Sequence, residues 1–421
     1  MNKEIYKRII NVSIRGLAMG SRLFLILFIA AFLQPNEVGS FGLMIATVSF
    51  SVLLLGGDYY VHSQRELLSR PKREWSMVIY NQMRANFLLY LLILPLLILI
   101  FVFSILDWAY VPLFFTLLVF EHIAQEMNRL LIAMQKQLLA STVLFIRTGA
   151  WVFVIIPMML FFEHTRNLNT LYIAWVVGCA SAIFIGLFGI KQALPIWRTE
   201  PFNKSILLKG FKVSFLFLIA TLSMRGLFTF DRYAVEIIGS GDLVGVYVFY
   251  ITLIIGLYGI LEPAIFSFLY PRMLESYQMK KANEFIINFK ELLITTLVSC
   301  MILIPVTWLI VSIGVGFLSN QIYAEYIDAL YFFILTGFFY SIGMVPHYAL
   351  YSMKGDYWII FANISSILIF FTIITFLDWD SVIKLVSFAL FLSLMFTSII
   401  KSAGLLIVWN KSQLLKKVSL R

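Results

Sequence analysis

The chain has 421 residues, 61% of them hydrophobic and only 13% charged, with a formal net charge of +10 and a mean hydropathy of +0.92. A soluble domain carries roughly 25% charged residues, so this composition excludes a soluble globular fold and points to a polytopic helical membrane protein. No segments of about ten alternating residues suggest a β-barrel.

Apolar runs of about 20 residues can each cross a hydrocarbon core of about 30 Å. In chain order they predict twelve spans, at 9–33, 40–63, 77–104, 109–134, 138–162, 169–190, 211–237, 245–270, 291–316, 326–352, 357–377 and 382–409. Lys3, Lys7 and Arg8 precede the first run as in a signal peptide. The run continues to about residue 33 without a small-residue cleavage site, so it reads as an uncleaved span. Cys179 and Cys300 both fall in apolar runs and read as small core residues rather than as a disulfide or zinc framework.

An even number of spans puts both termini on one side. Nearly all loop lysines and arginines lie on that side; the other holds only Arg166 and Lys384. The positive-inside rule then places both termini and the longer loops in the cytoplasm. The excess positive charge is mostly this asymmetry and calls for no nucleic-acid partner. The outer turns are short, and the longest connection, about 191–210, carries Pro195 and Pro201. It reads as a linker between a lobe of spans 1–6 (residues 1–190) and a lobe of spans 7–12 (residues 211–421).

An internal repeat supports two lobes. Ser13-Ile14-Arg15-Gly16-Leu17, followed by Arg22, returns 210 residues later as Ser223-Met224-Arg225-Gly226-Leu227, followed by Arg232. Asn36-Glu37-Val38-Gly39-Ser40-Phe41 likewise parallels Asp242-Leu243-Val244-Gly245-Val246-Tyr247, at an offset of 206. The four-residue difference is one helical turn, about 5.4 Å. The fold class is therefore all-α: twelve transmembrane helices in two six-helix lobes, related by a pseudo-twofold axis along the membrane normal.

Charge inside apolar spans is costly and marks function or pairing. Arg15, Arg22, Arg84, Arg129, Arg147, Arg225 and Arg232 all fall within predicted spans, as does Lys401. Asn11, Arg15 and Arg22 share one stripe of span 1; Arg225, Thr229 and Arg232 share one of span 7; Glu121, Gln125 and Arg129 share one of span 4. Arg15, Arg84, Arg129 and Arg147 each lie about 10 Å inside the cytoplasmic edge, at the level of a possible basic ring. Arg22 and Arg225 lie nearer the midplane. A guanidinium stays charged when desolvated and grips phosphate with a planar fork. The competing explanations are snorkelling and ion pairs with Asp58, Glu121 and Glu126. Glu126, Glu262 (before Pro263) and His347 (after Pro346) are candidates for ion coupling at a charge or helix kink. Gly56-Gly57-Asp58 reads as a helix-end turn. No P-loop, metal-ligand cluster, Ser/His/Asp arrangement or nucleotide-binding domain is legible, so the chain reads as neither an enzyme nor an ATP-driven pump, and it calls for no cofactor.

The stretch Ser21–Phe50, with Pro35-Asn36-Glu37-Val38-Gly39-Ser40-Phe41-Gly42 between two apolar spans, resembles a P-x-x-x-G-x-[FY] pattern. With the span count and the two lobes, the whole chain looks like a Wzx-type O-antigen flippase. These form the polysaccharide transporter branch of the multidrug/oligosaccharidyl-lipid/polysaccharide exporter superfamily. The resemblance implies a protein of the bacterial inner membrane that moves an undecaprenyl-diphosphate-linked oligosaccharide to the periplasmic leaflet by alternating access. A polysaccharide polymerase and a chain-length regulator are further candidate partners. On this reading Arg22 and Arg225 line the cavity, Arg15, Arg84, Arg129 and Arg147 load the headgroup, and Arg232 completes the site. A multidrug exporter of the same superfamily is the nearest alternative, although a cation exporter favours an acidic cavity. A membrane polysaccharide polymerase or ligase would also handle such lipids, but usually carries a large periplasmic loop that is absent here.

Overall fold

A computed structural model describes residues 3–194 and 204–412. The prolines of the expected linker and the basic tail with Lys416 and Lys417 lie outside them. In chain order the helices are α1 (Lys3–Phe32), α2 (Pro35–Gly56), α3 (Tyr59–Ser69), α4 (Trp75–Leu96), α5 (Leu99–Val102), α6 (Val111–Ala133), α7 (Gln137–Phe145), α8 (Val152–Phe161), α9 (Leu168–Ala193), α10 (Lys204–Ile238), α11 (Gly241–Gly259), α12 (Ser267–Gln278), α13 (Ala282–Gly316), α14 (Ile322–Glu325), α15 (Leu330–Ser352), α16 (Asp356–Phe376) and α17 (Val382–Lys411). No strand occurs among the described residues. Two π-helical turns, Ile146–Ala150 and Glu262–Phe266, join α7 to α8 and α11 to α12.

Eleven of these segments are long and apolar enough to cross a membrane. A twelfth is Lys204–Phe215 with Leu218–Ile238, bent by 48°, if that pair counts as one span. The expected limits shift where local chemistry intervenes. The second span ends at Gly56 because Gly57 and Asp58 take left-handed φ values of 51° and 49°, and the chain restarts as α3. The Gly56-Gly57-Asp58 turn is thus a true helix end. The eighth span is longer than its apolar run, covering Gly241–Gln278. Pro263 cannot donate to a helical carbonyl, and the Glu262–Phe266 π turn absorbs the missing bond without ending the span. Helix α15 runs on through Pro346.

Asparagine and serine start the helices that leave three short turns. The Asn167 side chain accepts from Thr170 N–H at 3.0 Å, Ser240 from Leu243 N–H at 3.4 Å and Ser381 from Lys384 N–H at 3.4 Å. Each satisfies a backbone donor that the first helical turn leaves free.

The chain divides into two compact units, Met1–Phe28 with Ser40–Leu222, and Ile29–Gly39 with Ser223–Arg421. In the first, α6 packs along α9 around Ala124, Leu131, Val143 and Ala182. In the second, α15 and α16 pack along α17. Its core is aromatic: Tyr247, Phe249, Tyr250, Tyr258, Tyr323 and Phe333 are fully buried. Tyr250 stacks on Phe333 at 5.6 Å and donates its hydroxyl to the Tyr323 carbonyl at 2.5 Å, so its polar tip is satisfied. The outward faces of α4, α9, α13 and α16 carry exposed Leu91, Leu92, Phe184, Phe188, Met301 and Phe371, as lipid-facing surfaces require.

The two copies of the turn motif meet in the second unit. A Cβ on Gly39 would stand 2.5 Å from the Gly241 carbonyl oxygen and 3.0 Å from Gly245 N, and one on Gly245 would collide with the Pro35 carbonyl. Only glycine allows the N-terminal ends of α2 and α11 to approach backbone to backbone. On the side of the basic loops, α3 is fastened instead by charge. Arg70 pairs with Glu66 at 2.7 Å and with Glu74 at 3.0 Å, and Trp75 Nε1 donates to the Leu67 carbonyl at 3.0 Å. The hydrogen bond from Arg70 holds the Glu66 carboxyl below its ordinary value of 4.5.

Two outcomes follow. Gly245→Val overpacks a backbone contact and costs about 1–3 kcal/mol, so the detergent-purified variant melts earlier than wild type. Gly16→Ala, whose Cβ meets nothing within 4 Å, serves as control and leaves the midpoint unchanged or raised. Because the Glu66 value is lowered on folding, its contribution is present above about 4.5 and is lost as pH falls through the lower folded value. Melting midpoints measured from pH 6 to pH 3 therefore fall less steeply for Glu66→Gln than for wild type.

Candidate functional site

The intramembrane charges sort into those held inside a unit and those presented on its surface. In the first unit, α6 places Glu121 and His122 one turn before Gln125 and Glu126. Glu121 pairs with Arg147 of the π turn at 3.4 Å and accepts from Trp175 Nε1 at 3.3 Å and the Cys179 thiol at 3.0 Å. Trp175 and Cys179 are four apart on α9, so one helical stripe supplies both donors. Glu126 accepts from Arg129 at 2.6 Å and also from Gln82 of α4. His122 Nδ1 and the Tyr90 hydroxyl are 2.7 Å apart. The Arg129 guanidinium lies over the Tyr60 ring of α3 at 3.6 Å, and Gln64 donates to the Arg129 carbonyl at 3.3 Å. Two clusters on α6, around Glu121 and Glu126, thus tie α3, α4, α9 and the π turn to that helix.

The remaining first-unit arginines are more open. Arg15 donates to Ser141 Oγ at 2.9 Å, and that hydroxyl donates on to Asn11. Arg84 stacks on the Tyr80 ring at 4.8 Å. Arg22 is exposed. Arg15 thus meets a hydroxyl, Arg84 stacks on a ring, and Arg129 and Arg147 pair with carboxylates, Arg129 also lying over a ring.

In the second unit Arg232 is buried, pairs with Asp231 at 3.4 Å and also donates to the Phe228 carbonyl. Asp231 takes a further bond from the Tyr247 hydroxyl at 3.0 Å. Arg225 is exposed, as is Glu262. Tyr340, which forms a T-shaped contact with Phe228 at 5.7 Å, lies within electrostatic range of both. The Tyr348 hydroxyl donates to Glu262 at 2.9 Å from either oxygen, and its ring packs on Tyr270 at 4.8 Å. His347, next in the chain, keeps Nδ1 buried without a hydrogen-bond partner and lies within range of buried Lys401.

Of the ten candidate residues, Arg129 and Glu126 are brought together, as are Arg147 and Glu121, which sequence reasoning names as an alternative partner. Arg225 and Glu262 both lie within electrostatic range of Tyr340. The tyrosines at 340 and 348 were not singled out from the sequence, although their eight-residue spacing on α15 places them on one face. The donors Gln82, Trp175 and Cys179 were also missed. Only the four-residue spacing of the last two could have pointed to them.

No family model matches the chain, and no curated protein does. Solved structures do. An inward-facing multidrug resistance MATE family transporter of the MOP superfamily aligns with 99% of this chain and 100% of its own, at TM-score 0.66 and 15% identity. An outward-facing multidrug resistance MATE transporter gives 0.59 at 11% identity over 98% and 96%. The eukaryotic MATE transporter AtDTX14 gives 0.58 at 12% over 98% and 97%. This likeness, over almost the entire length, defines the fold: an all-α, multi-pass membrane protein of two lobes, built like MATE transporters. The proteins that share it in these comparisons are transporters and not enzymes.

The first-unit network yields a stability test. Arg147→Met leaves Glu121 buried without its cation and costs about 3–5 kcal/mol. The double variant Glu121→Gln/Arg147→Met restores most of the loss, read as thermal midpoints in detergent.

Proposed function

We propose that the chain is an exporter of the multidrug/oligosaccharidyl-lipid/polysaccharide superfamily, working by alternating access in the bacterial inner membrane with both termini cytoplasmic. The substrate we assign is an undecaprenyl-diphosphate-linked oligosaccharide. The observation that carries this choice is the exposure of Arg22 and Arg225 within spanning helices. Glu121, Glu126 and Asp231 are engaged by arginines and are poorly placed to meet a cationic drug. An exposed arginine at membrane depth suits an anionic headgroup that it can grip bidentately.

Fold likeness alone favours a different substrate class. Two of the structural neighbours are multidrug resistance transporters, and an organic cation is therefore the second reading. Exposed Glu262 is the one feature of the charged surface described above that supports it.

A gene deletion in the native host separates the two. On the flippase reading, lipid-linked repeat units accumulate on the cytoplasmic face and surface polysaccharide is lost, while ethidium efflux is unchanged. Losing a charge-assisted hydrogen bond costs about 1.5–3 kcal/mol, so Arg22→Ala and Arg225→Ala each lower surface polysaccharide roughly tenfold or more at wild-type protein level. Loss of ethidium efflux with normal polysaccharide would establish the multidrug reading instead.

A further inference from the structure

The face of the second unit around Glu262 is built for something other than a charge. We propose that Glu262, Tyr340, Tyr348 and Tyr270 form a subsite for the uncharged sugar portion of the substrate, beside Arg225 as the anion-binding group. This rests on the lipid-linked oligosaccharide reading above.

Four observations carry it. First, Glu262 is an exposed carboxylate inside the span Gly241–Gln278. A carboxylate is not left against lipid, so this face meets water or a ligand. Second, among the described residues no basic side chain pairs with Glu262. It is held by a phenol, the Tyr348 hydroxyl, 2.9 Å from both oxygens. Two carboxylate oxygens offer about four acceptor sites, so most of its capacity remains for other hydroxyls. Third, Glu262 opens a π turn with Pro263. Single π turns inside α-helices are frequent at functional sites. Fourth, Tyr340, Tyr348 and Tyr351 fall on one stripe of α15, about 16 Å long at 1.5 Å per residue, the length of a short oligosaccharide. Tyr270 flanks that stripe, packed on Tyr348 at 4.8 Å and on Tyr351 at 5.8 Å.

Charge decides between ligand classes. Tyrosine faces with a carboxylate can also take an organic cation. Here exposed Arg225 and Glu262 both lie within electrostatic range of Tyr340, so the face carries one charge of each sign. A cation would gain from Glu262 and lose to Arg225. A neutral ligand with many hydroxyls loses to neither: it finds acceptors on Glu262, hydroxyl partners on the phenols and ring faces for its C–H surfaces. A diphosphate joined to that sugar would find Arg225 alongside.

The test uses the full-length protein in lipid nanodiscs. The probes are farnesyl diphosphate, farnesyl diphosphate carrying N-acetylglucosamine, galactose, mannose or rhamnose, and tetraphenylphosphonium. Wild type is expected to bind at least one sugar-bearing diphosphate five- to tenfold more tightly than farnesyl diphosphate. Glu262→Gln and Tyr348→Phe remove that gain and leave farnesyl diphosphate binding unchanged, whereas Arg225→Ala weakens both. Thermal midpoints equal to wild type establish that the variants are folded; should either fail this, Tyr270→Leu takes its place with the same expectation. If no sugar improves binding, or if the gain survives the substitutions, the subsite is wrong while the diphosphate reading stands. Loss of tetraphenylphosphonium binding in Glu262→Gln, with no effect on the sugar-bearing ligands, overturns the subsite in favour of a cation site. Failure of every diphosphate ligand to bind wild type sinks the lipid-linked reading itself and the subsite with it.

Discussion

The cost of charge in a low-dielectric interior organises this molecule. An ion taken out of water must find an opposite charge, several hydrogen bonds or a wetted surface. In the first unit Glu121 and Glu126 point in different directions from successive turns of α6. Each collects an arginine and at least one neutral donor. The network does more than cancel charge. Its donors come from α4, α9 and the π turn between α7 and α8, and Arg129 reaches the Tyr60 ring of α3. Helices that lipid would leave free to slide are thereby fixed in register. In a bilayer the hydrophobic effect between apolar helices is largely absent, so polar fastenings of this kind set the arrangement to a degree unusual in soluble cores.

The second unit solves the same problem with phenols. Asp231 is met by Arg232 and by Tyr247, and Glu262, among the described residues, by Tyr348. A phenol satisfies an oxygen without cancelling its charge. A carboxylate held this way keeps its field and its spare lone pairs, whereas one locked to a guanidinium has given up both. That contrast separates Glu262 from Glu121 and Glu126, although all three look alike as isolated acids in apolar runs. It also explains why pairing with arginine reads as scaffolding and exposure beside tyrosine reads as recognition.

Much of the fold was legible because the bilayer imposes a length and a polarity on each helix. The runs around 40–63, 326–352 and 357–377 needed only adjustment at their ends. The adjustments came from single residues whose backbone demands outweigh hydropathy, such as Gly57 and Asp58 in the left-handed region and Pro263 in its π turn. The site was less legible. That Arg147 and Glu121 could pair was visible in their signs, but not that Trp175 and Cys179 would join them, because indole and thiol donors are indistinguishable from core in an apolar run. Tyr348 was hidden for the same reason. Span 10 is rich in aromatic residues, and nothing in its spacing tells a stacking ring from a hydrogen-bonding one.

The repeated arginine motif changes meaning once each copy is placed on its helix. Matched by sequence, Arg15 corresponds to Arg225 and Arg22 to Arg232. The exposed members are Arg22 and Arg225, the second of one copy and the first of the other. The four-residue slip between motif and turn accounts for the switch. Arg22 stands 14 residues before Asn36, and Arg225 stands 17 before Asp242. Each is therefore nearly the same distance from its own short turn, within about 4.5 Å along a helix. For Arg15 and Arg232, at 21 and 10 residues, the same distances differ by about 16 Å. They have separate local duties, one on Ser141 and the other on Asp231. Distance from the turn along the helix, rather than position within the motif, is what the two exposed arginines share. The other two, Arg15 and Arg232, are taken up by contacts inside their own units.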